Sequence, residues 1–274
     1  DCYGFDDEVS RDHDFEPGFC IFIPDEETVD RRTEFLLERA YAKLPKDFMG
    51  LRRSLVNPVG GRRNGVIRTS EFYTNKIGCS DGNLSIQDWL TVPESYFFEA
   101  TNGVIFFDNY GEFTEIRNKI LQMPEDIRLK KLAGNLLLMA QSGQYNYSRC
   151  LSHGETGSAQ LAVIEFVNAA MKTVFLLNRK YMPYYKWSFH AMRDLELFST
   201  FSDSFEYLLT SENDSVTAEV KFGVIEDIAS MIIGYLIEND ITKAICSDLE
   251  KHAYSINDSI TDPNIRNMNI FVAV

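Results

Sequence analysis

The sequence has few of the residues that mark disulfide frameworks, zinc sites or membrane spans. Its five cysteines are odd in number and far apart, without a C-x-x-C pair, and its four histidines are dispersed. This pattern predicts reduced thiols in a cytoplasmic protein and no zinc site. No apolar run approaches the roughly 20 residues that cross a bilayer. We therefore expect no membrane as a partner.

Basic residues are also scarce relative to acidic ones. The chain has 27 Lys and Arg against 41 Asp and Glu, a formal net charge of -14. Proteins that bind nucleic acid gain most of their affinity from clustered basic residues that contact phosphates. We therefore expect no nucleic acid as a partner and no long polymer as a substrate.

Several common catalytic motifs are missing too. The sequence has no G-x-S-x-G, no Walker loop and no dinucleotide-binding fingerprint. What it does have is a hydrophobic content of 45% over 274 residues, which is enough for one large domain or two modest ones.

A pair of carboxylates stands near the start of the chain. Asp12 and Asp14 are one residue apart, just before the apolar run GFCIFI. On an extended strand alternate side chains share a face, so this D-x-D would aim both carboxylates at one point. Oxygen ligands of this kind suit Mg²⁺ or Mn²⁺, which indicates phosphoryl or nucleotidyl transfer. In so acidic a chain, the same spacing also arises by chance on solvated turns.

The stretch around this motif resembles a known family. DCYGFDDEVSRDHDFEPGFCIF is similar to the signature of bacterial proteins in the DNA polymerase β-like nucleotidyltransferase superfamily whose C-terminal part is a domain of unknown function. The resemblance extends to about residue 195 through these phrases: FYTNKIG, WLTVPES, IFFDNYGEFTEIR, GQYNYSR and FLLNRKYMPYYKW.

The resemblance implies an α+β architecture. We expect a polymerase β-like nucleotidyltransferase domain over residues 1–118, a mixed sheet with flanking helices, and an all-α helical bundle over 119–274. Kanamycin nucleotidyltransferase is divided in a similar way. In the superfamily a Gly-Ser pair that grips nucleotide phosphates precedes the D-x-D, and we expect such a segment ahead of residue 1.

The resemblance also implies a third metal-binding carboxylate on a neighbouring strand. The alternating segment GVIRTSEFY predicts a strand with Ile67, Thr69 and Glu71 on one face. We take Glu71 as this carboxylate, although it would equally suit the surface of a half-exposed strand. Asp108, at the end of a second predicted strand before a helix opened by Thr114, is the alternative.

Helical periodicity appears in one early segment and dominates the second half. The first helix is predicted from an N-cap at Asp25 to Pro45. From Pro124 onward, apolar residues recur three or four apart, which is typical of packed helices. One predicted stripe holds Leu161, Ile164, Asn168, Met171, Val174 and Phe175. Later helices are expected at 184–198, 217–238 and 243–255.

Basic and aromatic residues are candidates for nucleotide binding. A triphosphate needs positive charge, and the sequence offers Arg62 with Arg63, Lys130 with Lys131, and Arg179-Lys180-Tyr181 with Lys186. Lys186 matches an aromatic-lysine phrase that faces the nucleotide in related helical domains. Tyr145, in GQYNYSR, can stack on a base. Trp187 is expected in the core.

Together these observations predict a Mg²⁺-dependent enzyme that moves a nucleoside monophosphate, AMP from ATP foremost among the nucleoside triphosphates, onto a hydroxyl of a small molecule or protein. Asp12 and Asp14 would hold the metal, and Glu71 would either share a second ion or act as general base. Two alternatives stay open: a non-catalytic nucleotide- or partner-binding module with the same fold, and a phosphohydrolase that uses the same carboxylates on water.

Overall fold

A computed structural model describes residues 3–5, 7–9, 18–52 and 64–274. The chain divides into two compact units. The first comprises the described residues as far as Asp88 together with Ser95–Gln122, and the second comprises Trp89–Glu94 and Met123–Val274.

Short strands and helices alternate up to Leu121. The elements in chain order are β1 (Cys20–Ile23), α1 (Arg31–Ala42), β2 (Asp47–Phe48), β3 (Leu51–Arg52), β4 (Gly65–Arg68), α2 (Thr69–Ile77), α3 (Ile86–Thr91), α4 (Glu94–Thr101) and α5 (Glu112–Leu121).

The described strands form two small sheets. β1 and β4 pair in parallel, with Cys20 opposite Gly65 and Ile23 opposite Arg68, and β2 pairs with β3 in an antiparallel hairpin. A parallel pair needs a crossover connection, and α1 lies in that connection, where Tyr41 packs with Ile23 and Val66 in a small core. An α+β organisation with a large helical part is thus present, and the larger polymerase β-like sheet stays a prediction.

Helix α1 begins later than the sequence indicated. Its N-cap is Asp30, whose side chain accepts a hydrogen bond from the Thr33 amide at 2.7 Å. Asp25 instead begins the turn before the helix, where its carbonyl accepts from the amides of Thr28 and Val29. The prediction of an N-cap at Asp25 was wrong because both positions carry an acidic cap former, and only the turn decides between them.

The strand predicted through Phe72 was also wrong beyond Arg68. Helix α2 takes over at Thr69, so Glu71 lies in the first turn of a helix and not on a strand. The buried residues of this segment are Thr69, Tyr73 and Ile77, spaced by four, which is the helical period. An acidic residue in a first turn also favours a helix through its dipole.

The strand predicted before Asp108 does not form. Val104, Phe106 and Phe107 are exposed, and no strand is assigned between α4 and α5. The chain turns here, and the helix that follows begins at Glu112, close to the predicted start at Thr114.

The second unit is helical, as the sequence predicted. It includes the segment Trp89–Glu94, which joins α3 to α4. Its other elements are α6 (Glu125–Met139), a π-helix (Ala140–Asn146), α7 (Tyr147–Ser152), α8 (Thr156–Leu177), α9 (Tyr185–Arg193), α10 (Phe201–Thr210), α11 (Ser215–Glu238), α12 (Leu249–Ser259) and α13 (Pro263–Arg266). About 61% of the described residues are helical. The predicted helices at 184–198, 217–238 and 243–255 correspond to α9, α11 and α12.

Helix α8 runs through the core of this unit. Met171, Val174 and Phe175 of the predicted stripe are buried, whereas Leu161 and Ile164 are exposed. The helix is long and apolar enough to cross a membrane by length and composition, but 67% of its most apolar window is buried. This burial is expected for the core helix of a soluble protein.

Candidate functional site

Only some of the predicted site residues lie within the part of the chain that the structure describes. Asp12, Asp14, Arg62 and Arg63 lie outside the described residues, so their metal and phosphate roles stay predictions. Glu71, Tyr145 and Lys186 are described, the first in the first unit and the other two in the second.

Glu71 lines a groove at the carboxyl end of the β1–β4 pair, which we call the acidic groove. Its volume is about 700 Å³. Its lining residues come from the turn after β1, from α1, from the end of β4 and from the start of α2: Asp25, Glu26, Glu27, Arg31, Glu34, Phe35, Glu38, Arg68 and Glu71. In open α/β sheets, ligands bind at this end of the strands.

Arg68 builds the floor of the acidic groove. Its buried guanidinium donates to the carbonyls of Pro24 at 2.8 Å and Val29 at 3.1 Å. It also donates to Glu34 Oε2 at 2.6 Å, and the Arg68 side chain is only 10% exposed. One arginine at the end of β4 therefore fixes the turn that follows β1.

The groove carries an excess of carboxylates. Arg31 pairs with Glu26 at 3.0 Å, and the pKa of Arg31 is raised first by that hydrogen bond and then by the charges of Glu26, Glu34 and Glu71. Asp25 accepts from the Ser70 hydroxyl at 2.6 Å. Six carboxylates against two arginines give the groove a negative potential, which attracts cations and repels polyphosphates.

The direction of the strands separates Glu71 from the start of β1. Because β1 and β4 are parallel, Cys20 lies at the edge where β4 begins, and the Gly65 amide donates to the Phe19 carbonyl there at 3.0 Å. Glu71 follows the opposite edge. Among the described residues, no group of three or more His, Cys, Asp or Glu side chains is arranged to hold a metal ion.

The carboxylate of Asp108, the alternative third carboxylate, accepts hydrogen bonds at the start of α5. It accepts hydrogen bonds from the Gly111 amide at 2.7 Å, the Thr114 amide at 2.9 Å and the Thr114 hydroxyl at 2.5 Å. Burial raises its pKa, but the bonds from Thr114 and Gly111 outweigh burial and lower it overall. Asp108 thus caps the start of α5.

The sequence did not single out one carboxylate with an altered pKa in this unit. Glu112, in the first turn of α5, has its pKa raised by burial and then by the nearby charges of Asp25, Asp108 and Glu115. A raised carboxylate pKa suits an acid–base group. The available signal was the phrase GEFTE after a turn, which shows an acidic residue in the first turn of a helix but not the approach of Asp25, which is distant in sequence.

Tyr145 lies in the π-helix and is 58% exposed. The Arg149 guanidinium stands 5.0 Å from the centre of its ring and donates to its hydroxyl at 2.8 Å. Gln144, one residue earlier, is instead tied to Glu226, to the Ser247 carbonyl and to the Leu249 amide. The π-helix thus turns Gln144 inward and presents Tyr145 outward, and π-helical segments are frequent at functional sites.

Lys186 lies in the first turn of α9 and is exposed, with its ammonium 5.1 Å from the centre of the Trp187 ring. Trp187 is buried, which confirms the prediction that it belongs to the core. The lysine is therefore held against an aromatic face while its charge remains accessible.

The pair Lys130 and Lys131 does not offer charge at the surface. Lys130 is fully buried and donates to Asn257 Oδ1 at 2.8 Å and to the carbonyls of Arg266 and Met268. Lys131 is buried in an ion pair with Glu94. Both lysines hold the helical unit together, so the prediction that they offset a triphosphate was wrong.

Residues 89–188 match the model of a protein family described as a domain of unknown function, DUF4037. The match runs from α3 into α9, so it includes Tyr145 and Lys186 and excludes the D-x-D and Glu71. Searches among curated proteins and among solved structures found no match. The match fits the predicted domain of unknown function, while the tie to the nucleotidyltransferase superfamily rests on the resemblance described above.

Proposed function

We propose that this chain is a Mg²⁺-dependent nucleotidyltransferase that moves a nucleoside monophosphate, AMP from ATP in the first instance, onto a hydroxyl of a small molecule or a protein. The observation that carries the proposal is the D-x-D of Asp12 and Asp14, within a stretch that resembles the superfamily signature and leads into β1.

The chemistry assigns a role to each carboxylate. Asp12 and Asp14 would hold Mg²⁺ or Mn²⁺, which supplies positive charge against the triphosphate. The acceptor oxygen attacks the α-phosphorus, its bond to phosphorus forms while the bond to pyrophosphate breaks, and Glu71 takes the proton of the hydroxyl. The negative potential of the acidic groove around Glu71 suits a cationic acceptor, such as an aminoglycoside-like amine.

Groups in other parts of the chain would bind the nucleotide. We assign Tyr145, backed by Arg149, to stacking on the base, and Lys186 to a phosphate, with Arg62 and Arg63 as further phosphate ligands. The location proposed is cytoplasmic, because Cys79, Cys150 and Cys246 are free thiols and such thiols are typical of reducing compartments.

The test begins with binding. The melting temperature of the chain is measured with each of the four ribonucleoside triphosphates, with and without Mg²⁺, for the wild type, Asp14→Asn and Glu71→Gln. A ligand that binds only the folded state raises the melting temperature. We expect Mg²⁺-dependent stabilisation by one nucleotide in the wild type and in Glu71→Gln, and its loss in Asp14→Asn.

The second stage measures transfer. ATP labelled at the α-phosphate is incubated with an aminoglycoside panel and with the protein itself, and labelled product is separated from labelled AMP. We expect labelled acceptor from the wild type, a loss of at least tenfold in Glu71→Gln, and no change in Glu115→Gln, which removes an exposed carboxylate paired with Lys119. Binding without labelled product would favour the non-catalytic module, AMP alone would favour the hydrolase, and no binding would exclude the proposal.

A further inference from the structure

Two helices of the second unit end in the same unusual way. At the end of α8, the Arg179 amide donates to the Leu176 carbonyl and the Lys180 amide donates to the Phe175 carbonyl. At the end of α11, Asp240 and Ile241 repeat this pattern with Ile237 and Leu236. Both are Schellman turns, in which one residue takes the left-handed conformation. That residue is Arg179 with φ 53° and Asp240 with φ 55°.

The two residues are disfavoured here for different reasons. Glycine normally occupies this conformation, aspartate tolerates it, and a long side chain such as that of arginine is rare in it. The chain does use glycine at a comparable position, because Gly78 ends α2 with φ 73°. Asp240 tolerates the backbone conformation, but its negative charge at the C-terminus of a helix opposes the helix dipole. Local structure therefore does not account for an arginine and an aspartate at these two positions.

Both side chains line one pocket. Its volume is about 380 Å³, which suits a small molecule. Leu129, Leu177, Tyr235 and Ile241 provide apolar surface, and the polar lining residues are Glu125, Arg128, Arg179, Asn239, Asp240, Lys243, Ser255 and Ser259.

The charges of the pocket are only partly paired. Arg128 is buried and binds Glu125 through two nitrogens, at 3.0 and 2.5 Å. Arg179 reaches the same carboxylate at 2.9 Å, but its side chain is 64% exposed, and an ion pair so exposed is weak. Most of the Arg179 guanidinium remains free to bind something else.

Two opposite charges in the pocket have no partner within the described chain. Lys243 is anchored by its backbone amide, which donates to Ser255 Oγ at 2.9 Å. The Lys243 ammonium and the Asp240 carboxylate form no ion pair with any described residue. The pocket thus offers accessible cations at Arg179 and Lys243, an accessible anion at Asp240, and an apolar surface.

We propose that this pocket binds a small zwitterion of the α-amino-acid type. Its carboxylate pairs with Arg179 and Lys243, its ammonium pairs with Asp240, and its apolar side chain lies on Leu129, Leu177 and Ile241. A guanidinium suits a carboxylate through two parallel hydrogen bonds. A ligand of this kind explains why both helix ends keep a charged residue where glycine would be more stable.

The test uses the full chain and the twenty common L-amino acids, each measured for its effect on the melting temperature. The best ligand is then compared with its decarboxylated amine and its deaminated acid; for leucine these are isoamylamine and 4-methylpentanoate. We expect a saturable stabilisation by one or a few apolar amino acids, and at least tenfold weaker binding of both analogues, since each lacks one of the two charges.

Variants separate the pocket from general effects. Arg179→Gly and Asp240→Gly should unfold at higher temperature than the wild type without ligand and should lose the response to the amino acid. Lys180→Ala removes a neighbouring charge that does not line the pocket and should keep the response. Asp240→Asn tolerates the left-handed conformation and should lose the response through charge alone.

Three results would overturn the proposal. The first is the absence of stabilisation by any amino acid, and the second is an equal response in the wild type and Arg179→Gly. The third is loss of nucleotide-dependent stabilisation in Arg179→Gly, which would make the pocket part of a nucleotide site.

Discussion

Gly143 of the π-helix packs so closely on Phe166 of α8 that a Cβ atom at Gly143 would lie 2.3 Å from Cδ2 of the ring. The same Cβ would lie 2.9 Å from Cγ2 of Ile225 in α11. The π-helix that presents Tyr145 therefore depends on a position without a side chain, wedged between two long helices.

We expect Gly143→Ala to lower the free energy of unfolding by about 2 kcal/mol, because the added methyl group overpacks a dense core. Urea unfolding measures the change. Gly223→Ala, in α11, is the matched control: nothing lies within 4 Å of its Cβ position, so it should stabilise the protein by about 0.5–1 kcal/mol. Equal effects of the two substitutions would show that the contact with Phe166 is not tight.

We expect Asp108→Ala to lower stability by about 1–2 kcal/mol through loss of the α5 cap. Because the pKa of Asp108 is lowered in the folded state, its contribution is fully present above the ordinary value of 3.8 and is lost as pH falls through the lower folded pKa. The free energies of unfolding of the wild type and the variant should thus converge in strong acid. Asn109→Ala, next to it in the same turn, is the control, and a loss as large there would contradict the assignment.

We expect Arg68→Lys to loosen the turn after β1, because a lysine cannot reach Pro24, Val29 and Glu34 together. The effect should be about 1–2 kcal/mol, measured as faster hydrogen exchange of the β1 and β4 amides. Arg31→Lys makes the same change in an exposed pair with Glu26 and should have almost no effect. Similar exchange in both variants would argue against a structural role for Arg68.

We expect Lys221→Met to lower the free energy of unfolding by about 1–3 kcal/mol, because it removes three hydrogen bonds that a buried ammonium donates. The fully buried Lys221 ammonium donates to Gln160 Oε1, Asn213 Oδ1 and the Ser211 carbonyl. Lys251→Met, on an exposed face of α12, should be near neutral, and chemical denaturation compares the two.

The same lysine predicts a dependence on pH. Burial lowers the pKa of Lys221 from the ordinary 10.5, so between the folded and ordinary values the unfolded state binds more protons. Stability of the wild type relative to Lys221→Met should therefore rise with pH as it approaches 10.5. A difference that stays constant over that interval would show that the folded pKa is not lowered.

Local patterns were sufficient for much of the architecture. The helices after Pro124 and the burial of Trp187 follow from apolar spacing, which acts within a few turns of one helix. The same reasoning failed at Glu71, because the segment is a strand only over Gly65–Arg68 and then buries Thr69, Tyr73 and Ile77 at helical spacing. Only packing against the rest of the unit decides where the strand ends and the helix begins.

The sequence by itself determined three features: the D-x-D, the net charge of -14 and a helical second half. Tertiary structure alone decided which charges are available. In sequence Lys130 and Lys131 look like surface cations, but both are buried and bonded inside the helical unit. Arg179, Lys243 and Asp240 instead line one pocket. The reason is that the residue type sets the charge of a side chain, whereas its solvation and its bonding partners depend on residues that only folding brings close to it.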